Sequence, residues 1–371
     1  MSKRALGIIN IEPSYVHVEG IEDYRPISAT SFMGRYRIID FIISNLTNSG
    51  VNNIEVQVKN RPRSTIQHIQ RTDYNINTKR GHIRILHGEK PIPNEIYNTD
   101  VASLMANLKY FEEDNSPYVI LAPSHFIYVQ DFSKMLDYHI ESKNDITVLY
   151  QNVNTANEDF LMCDTLDIDE NKVITSIDKN LGKGKRAKVS LETYIMSKKI
   201  FIDMIYAALS TSSLYSLSDI IADGLDVFKI GGYLHTGYAA CISTLNSYYK
   251  ASMDIKNEKE LSNIFSDEWP IYTATNDTCP TTYTMTSNVS NCVVGNGCII
   301  EGTVENCVIG RNVVVKEGAV IKNSIIMPDA LINKNVKMDK CVVDRLAIVT
   351  HIKALNGSDH APLYVKRGDR I

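Results

Sequence analysis

The sequence has no C-x-x-C pair among its seven cysteines, no apolar run near the length of a membrane span, no acidic or basic tail, and a net charge of only -4. Each absence narrows the field. An odd set of scattered cysteines argues against a disulfide framework or a zinc ribbon and points to a reducing cytoplasm. Without an apolar stretch of about 20 residues the chain is not expected to cross a membrane. Without a charge imbalance there is no reason to expect nucleic acid or an anionic membrane as partner. The start, Met1-Ser2-Lys3-Arg4 and then an apolar stretch to Ile9, is too short for a signal-peptide core.

What is present is enough chain for a large α/β domain and a smaller second one: 371 residues, 44% hydrophobic and 22% charged. Residues 4–253 alternate β-rich runs with amphipathic helices, the pattern of a mostly parallel sheet covered on both faces. Ala5 to Ile11 reads as the first strand. Ile38, Ile39, Ile42, Ile43 and Leu46 fall at helical spacing before Asn48-Ser49-Gly50, a helix stop. Ile54, Val56 and Val58 alternate as a strand. Helices over Val101 to Phe111 and Phe132 to Ile140 and strands over Tyr118 to Ala122 and Ile146 to Tyr150 continue the series. Phe160 to Ile177 and Ser190 to Met196 read as strands extending the sheet, with helices over Ile200 to Leu209 and Leu245 to Met253. The pattern divides the chain into an α/β domain over 1–253, a polar linker over 254–284 with Trp269-Pro270-Ile271 as an apolar island, and a second domain over 285–371.

In the second domain the period becomes six. Aliphatic residues stand at Val294, Ile300, Ile309, Val315, Ile321 and Met327, with Cys292, Cys298, Cys307, Val313, Ala319 and Ile325 two positions before them. That period marks a left-handed parallel β-helix of four or five coils whose flat faces are suited to pairing with other subunits. Gly295, Gly310 and Gly318 serve its turns. Cys292, Cys298 and Cys307 take small interior positions, where a free thiol behaves as a compact hydrophobe rather than a metal ligand.

Five segments in order carry a family likeness: Gly34-Arg35-Tyr36-Arg37-Ile38-Ile39-Asp40-Phe41 continuing to Asn45, Gln67-His68-Ile69-Gln70-Arg71, Thr244 to Asp254, Trp269-Pro270-Ile271, and Cys341-Val342-Val343-Asp344-Arg345. Over nearly its whole length the chain resembles the glucose-1-phosphate adenylyltransferases (ADP-glucose pyrophosphorylases). The resemblance implies a Rossmann-like nucleotidyltransferase domain before the β-helix. It also implies a chemistry, ATP joined to glucose 1-phosphate with release of pyrophosphate. That chemistry needs a glycine-rich phosphate loop, basic side chains on the triphosphate and two aspartates on Mg²⁺.

Position by position, those parts are missing. Where the family has G-G-x-G-x-R-L, this chain has Asn10-Ile11-Glu12-Pro13-Ser14-Tyr15-Val16, with no glycine between Gly7 and Gly20. Pro13 removes a backbone donor and Glu12 adds negative charge beside a triphosphate. The family's phosphate-facing lysine corresponds to Ile27, and its two metal-binding aspartates to His125 and Cys241. Neither imidazole nor thiol suits the hard Mg²⁺ ion. No catalytic residue, cofactor or metal is therefore expected in this chain, Mg²⁺ belonging to a catalytic partner alone. On the sugar-phosphate side Asp178, Lys179 and Asp219 keep the family's polar character and are candidates for a residual sugar-phosphate site, or else solvated surface charges. Glu192 replaces a family glycine and would crowd the sugar.

Arg25, Arg35 and Arg37 flank the signature and are candidates for binding a phosphate-bearing effector. Denser basic runs, Lys59, Arg61, Arg63, His68 and Arg71, then Lys79, Arg80, His82 and Arg84, fit an effector or subunit surface or simply a solvated face. The resemblance narrows to the family's regulatory, non-catalytic type. It implies a hetero-oligomer, a tetramer, with the catalytic subunit in glycogen biosynthesis, self-association when alone being an open alternative. Two further readings remain open: a working adenylyltransferase with unusual ligands, and a hexapeptide acyltransferase using His351 or His360 as base.

Overall fold

The computed structural model describes residues 4–58, 61–87, 99–212, 214–352 and 354–371, so Lys59 of the first basic run and the start Met1-Ser2-Lys3 lie outside the described residues. A nine-stranded sheet organises the first part. Ala5–Asn10 lies between Asn53–Val58 and Tyr118–Pro123, parallel to both, and His82–His87 continues the parallel set at the edge. On the other side Ala187–Ser197 pairs antiparallel with Tyr118–Pro123 and with Ile146–Val153, beyond which Ile230–Leu234 is again parallel. A hairpin, Asp164–Ile168 with Ile174–Lys179, closes that side. The continuous strand expected from Phe160 therefore begins only at Asp164, because Phe160 and Met162 adopt left-handed backbone and turn the chain.

Apolar residues on alternate positions of these strands face two separate cores. One packs Ile39, Ile42, Ile43 and Leu46 of the helix Ile38–Asn48 with Phe132, Met135 and Leu136 of the helix Phe132–Ser142. The other packs Val101, Leu104, Phe111, Phe201, Met204 and Ile205 against the opposite face. The helix expected over Val101 to Phe111 is broken in two, Asp100–Ala106 and Leu108–Glu113. At the break the Asn107 amide donates to the Ser103 and His87 carbonyls.

The β-helix has three faces of five short parallel strands each. Its interior holds Cys298, Ile300, Cys307, Ile309, Val313, Val315, Ala319 and Ile321, as the six-residue period requires, and also Cys341, while Cys292 is half-buried at its edge. The period then slips. The next aliphatic residue of the interior after Ile321 is Ile326, whereas Ile325 and Met327 point outward. Ile299 pairs with Val314 after fifteen residues, and Val314 with Leu331 and Leu331 with Ile348 after seventeen, so these coils fall short of three full sixes by three residues and by one.

That slip serves the junction between the two domains. Val308, Ile325, Met327 and Val342 present one outer face of the prism to Val16, Ile27, Phe32, Ile38 and Tyr248 of the α/β domain, a single buried cluster. Gly34 touches the prism directly: with φ of 68° and a would-be Cβ only 2.6 Å from the Ile309 carbonyl, no other residue fits there without displacement. The linker contains a helix, Glu258–Ile264. Its Trp-Pro-Ile island is fastened to the signature helix: Trp269 Nε1 donates to Asn45 Oδ1 at 3.0 Å, the Tyr272 amide to Ser44 Oγ, and Asn48 to the Pro270 carbonyl.

Candidate functional site

In open α/β sheets ligands sit beyond the carboxyl ends of the parallel strands. At that edge the chain leaving Ala5–Asn10 folds back on itself. Glu12 accepts from the Ser28 amide, pinning the segment to the 3-10 turn Ile27–Ala29. Ile27, where the family has a lysine, is fully buried in the interdomain cluster and faces no ligand space.

Three residues after Glu12, Tyr15 enters the space where the resemblance would put phosphates and metal. Its hydroxyl makes a short hydrogen bond to Glu192 Oε1, lies 3.2 Å from His125 Nε2 and is 3.6 Å from Cys163 Sγ. Since the tyrosine proton goes to the carboxylate, the hydroxyl oxygen accepts from His125, which assigns the imidazole proton to Nε2. Nδ1 is then a buried acceptor without a partner. Burial pushes the His125 imidazole down to about 3, so it is neutral, and pushes the Glu192 carboxyl up to about 7. The Tyr15 hydroxyl is raised well above its usual range by burial and by the Glu192 charge. Cys241, on the short strand Ala239–Cys241 paired with Phe126–Tyr128, sets its sulfur 3.7 Å from that of Cys163.

Glu192 reaches this position because the long strand carries a bulge between Ser190 and Thr193. Its φ is 49°, the left-handed region that suits glycine. A carboxylate side chain thus extends into the pocket from a backbone conformation that glycine adopts most readily. Among the described residues, no three or more His, Cys, Asp or Glu side chains gather with metal-holding geometry. A neutral buried imidazole and two thiols do not fit Mg²⁺, and no step through that ion can be built on these residues.

The sugar-phosphate candidates are spent on local structure. Lys179 Nζ pairs with Asp164 Oδ1 at 2.5 Å, Asp219 caps its own helix through Ser216, and Asp178 is exposed, accepting from Ser176. Lys179 and Asp219 nonetheless lie near enough to each other, and to Glu192, for both carboxylate charges to act on the lysine, whereas Asp178 makes its contact at the surface.

The signature arginines part company. Arg25 is buried, its Nη2 2.7 Å from Asp344 Oδ1, and Tyr364 donates to the other oxygen of the same carboxylate. Arg35 and Arg37 instead line a cleft of about 360 Å³ between the domains, together with Arg71, Arg311, Arg345 and His68. Arg37 is pushed down to about 10, by burial first and then by the neighbouring Arg345 charge. Asp40 organises one wall: it caps the signature helix through the Arg37 amide and accepts from Tyr74, and His68 Nε2 lies 2.6 Å from it. Of the other basic residues, His82 and Arg84 pair with the buried Glu55 on the far side of the sheet. Sequence reasoning missed Asp40 as a hub, Tyr15 as a filler and Cys163. The available signal for Tyr15 was an aromatic ring in a loop where a phosphate cradle needs small residues.

With this geometry in hand, comparison with known proteins is specific. A sequence model of the nucleotidyl transferases matches residues 25–258, and a model of the GlmU-like C-terminal hexapeptide region matches residues 278–361. The glycogen biosynthesis protein GlgD of Bacillus subtilis is 26% identical over 373 residues, covering 99% of this chain and 97% of its own length. The glucose-1-phosphate adenylyltransferases of Bacillus cytotoxicus and Bacillus cereus are 27% and 26% identical over 322 residues, covering 85% of each chain. The likeness drawn from the five motifs agrees with these relatives.

Proposed function

Because the chain belongs to the nucleotidyl transferase family, we propose that it serves glycogen biosynthesis as the regulatory, non-catalytic subunit of a glucose-1-phosphate adenylyltransferase. In this reading it assembles with the catalytic subunit, as a heterotetramer, and tunes the rate or effector response of ADP-glucose synthesis. The observation that carries the reading is the filled site: the Tyr15 hydroxyl is bonded to Glu192 and His125 in the space the family gives to substrate phosphate and metal. No observation favours a working adenylyltransferase or an acyltransferase. His351 and His360 are both exposed near the last coil.

Two surfaces support a regulatory role. Five cationic side chains converge in the interdomain cleft, and crowded guanidinium groups gain from an anion between them, so the cleft suits a phosphate-bearing effector. The β-helix supplies the second. One of its outer faces is covered by the α/β domain and another is largely polar, with Glu305 and Lys322 paired at 2.7 Å. The third carries Ile299, Val314, Leu331 and Ile348 stacked in register and facing outward, rimmed by the Glu301–Lys316 pair. An aliphatic ladder of this kind fits a flat apolar face of a related subunit.

Purified alone with ATP, glucose 1-phosphate and Mg²⁺, the chain is expected to release no pyrophosphate above background. The double change His125→Asp with Cys241→Asp is expected to leave it inactive, since Tyr15, Glu192, Ile27 and the glycine-free loop remain. Turnover by the unmodified chain would overturn the proposal.

A further inference from the structure

We propose that Cys163 and Cys241 form a reversible disulfide that staples the two walls of the filled site. The sulfurs lie 3.7 Å apart, both thiols are free, and the residues are 78 positions apart in sequence. Cys163 ends the turn from Phe160, held by Asn180, whose amide donates to the Cys163 carbonyl at 2.8 Å and whose side chain donates to the Phe160 carbonyl. Cys241 ends the short strand paired with Phe126–Tyr128, next to His125, whose carbonyl accepts from the Ile242 amide. A bond between them joins the hairpin side of the site to the ribbon that carries His125.

The geometry needs little adjustment. A disulfide holds its sulfurs about 2 Å apart, so the thiols must close by a little under 2 Å. The Phe160–Met162 turn, with two left-handed residues, is an irregular segment that can supply the shift. Access is one-sided. Cys241 lines a cavity of about 330 Å³, along with Phe160, Leu161 and Ser243, whereas Cys163 is fully buried and does not reach it. A small oxidant therefore meets Cys241 first. With hydrogen peroxide as the two-electron oxidant, the Cys241 thiol loses its proton and attacks one oxygen as the thiolate, breaking the O–O bond to give a sulfenic acid and a hydroxide that takes up that proton as water. The Cys163 sulfur then displaces the sulfenic hydroxyl as a second water, forming the S–S bond. Two thiols and one peroxide thus give one disulfide and two waters. A thiol reductant reverses the step. Burial raises the Cys163 thiol, so the resolving step is slow and speeds up as pH rises.

The test uses the full chain. After exposure to hydrogen peroxide, denaturation and alkylation, the free thiols are expected to fall from seven to five. Peptide mapping without reductant should recover one linked pair, Cys163 with Cys241, short of two hydrogens, and dithiothreitol should restore seven thiols. Cys163→Ser and Cys241→Ser should each abolish the link, while Cys292→Ser should keep it. Cys292 and Cys307 stack on adjacent coils and form the competing pair. A link that maps there, seven alkylated thiols after peroxide, or Cys241 oxidised without a link would each overturn the proposal. The readout is thiol chemistry, so it stands apart from whether the chain turns over substrate.

Discussion

Glu192 bears two costs at once: a left-handed backbone that disfavours a non-glycine residue by roughly 1 kcal/mol, and a carboxyl raised by burial to about 7. A carboxyl raised on folding stabilises the native state below its unfolded value, and that contribution is lost as pH rises through the folded one. Between about pH 4.5 and 7 the native protein should therefore lose on the order of 3 kcal/mol through this group. Chemical denaturation across pH 5 to 8 should show stability falling with pH in the unmodified chain and a flatter profile in Glu192→Gln. Equal slopes would mean that the carboxyl is not buried in this network. That Glu192 would crowd the site was legible in the sequence, because a side chain replaced a glycine. That Tyr15 would meet it was not, since nothing local fixes a distance between residues 177 positions apart. Cys163 stayed invisible for the same reason.

At the scale of the element, the signature helix is legible from its spacing and its purpose is legible only from its contacts. Asn45 accepts from the Gln130 amide and the Trp269 indole and donates to the Tyr128 carbonyl, all from a fully buried position. Two motifs that looked like separate family marks, the helix end and Trp-Pro-Ile, are thus one joint. Asn45→Ala leaves these partners orphaned and should destabilise the chain by about 2–3 kcal/mol in urea unfolding. A change under about 0.5 kcal/mol would show that water replaces the amide without loss. In the β-helix the six-residue period identified the architecture and most interior residues. It misplaced Ile325 and Met327 because a coil side shortened by one residue leaves composition unchanged while turning every later side chain.

For the whole molecule, the motif residues Gly34, Ile38 and Asp344 meet at the junction of the two domains. Arg25, expected at an effector surface, is instead buried against Asp344, with Tyr364 completing the carboxylate's bonds. Removing one partner of a buried pair leaves the other charge uncompensated, so Asp344→Ala should cost about 3–5 kcal/mol, and Arg25→Met with Asp344→Leu should recover much of it. Thermal unfolding of the three chains checks this, and equal midpoints would contradict it. The same junction brings Arg35 and Arg37 from one domain to Arg311 and Arg345 from the other, so an anion in the cleft would bear on how the domains sit. No helix among the described residues is long and apolar enough to cross a membrane. The proposed assembly with a catalytic subunit rests on the Tyr15–Glu192–His125 cluster and on the aliphatic prism face of Ile299, Val314, Leu331 and Ile348. The most direct test is to combine the purified chain with the catalytic subunit of a glucose-1-phosphate adenylyltransferase, measuring the mass of the product and its rate of ADP-glucose synthesis. The account predicts a complex heavier than either component whose turnover or effector response per catalytic subunit is changed, and which Leu331→Asp prevents. Two unassociated species with unaltered turnover would contradict it.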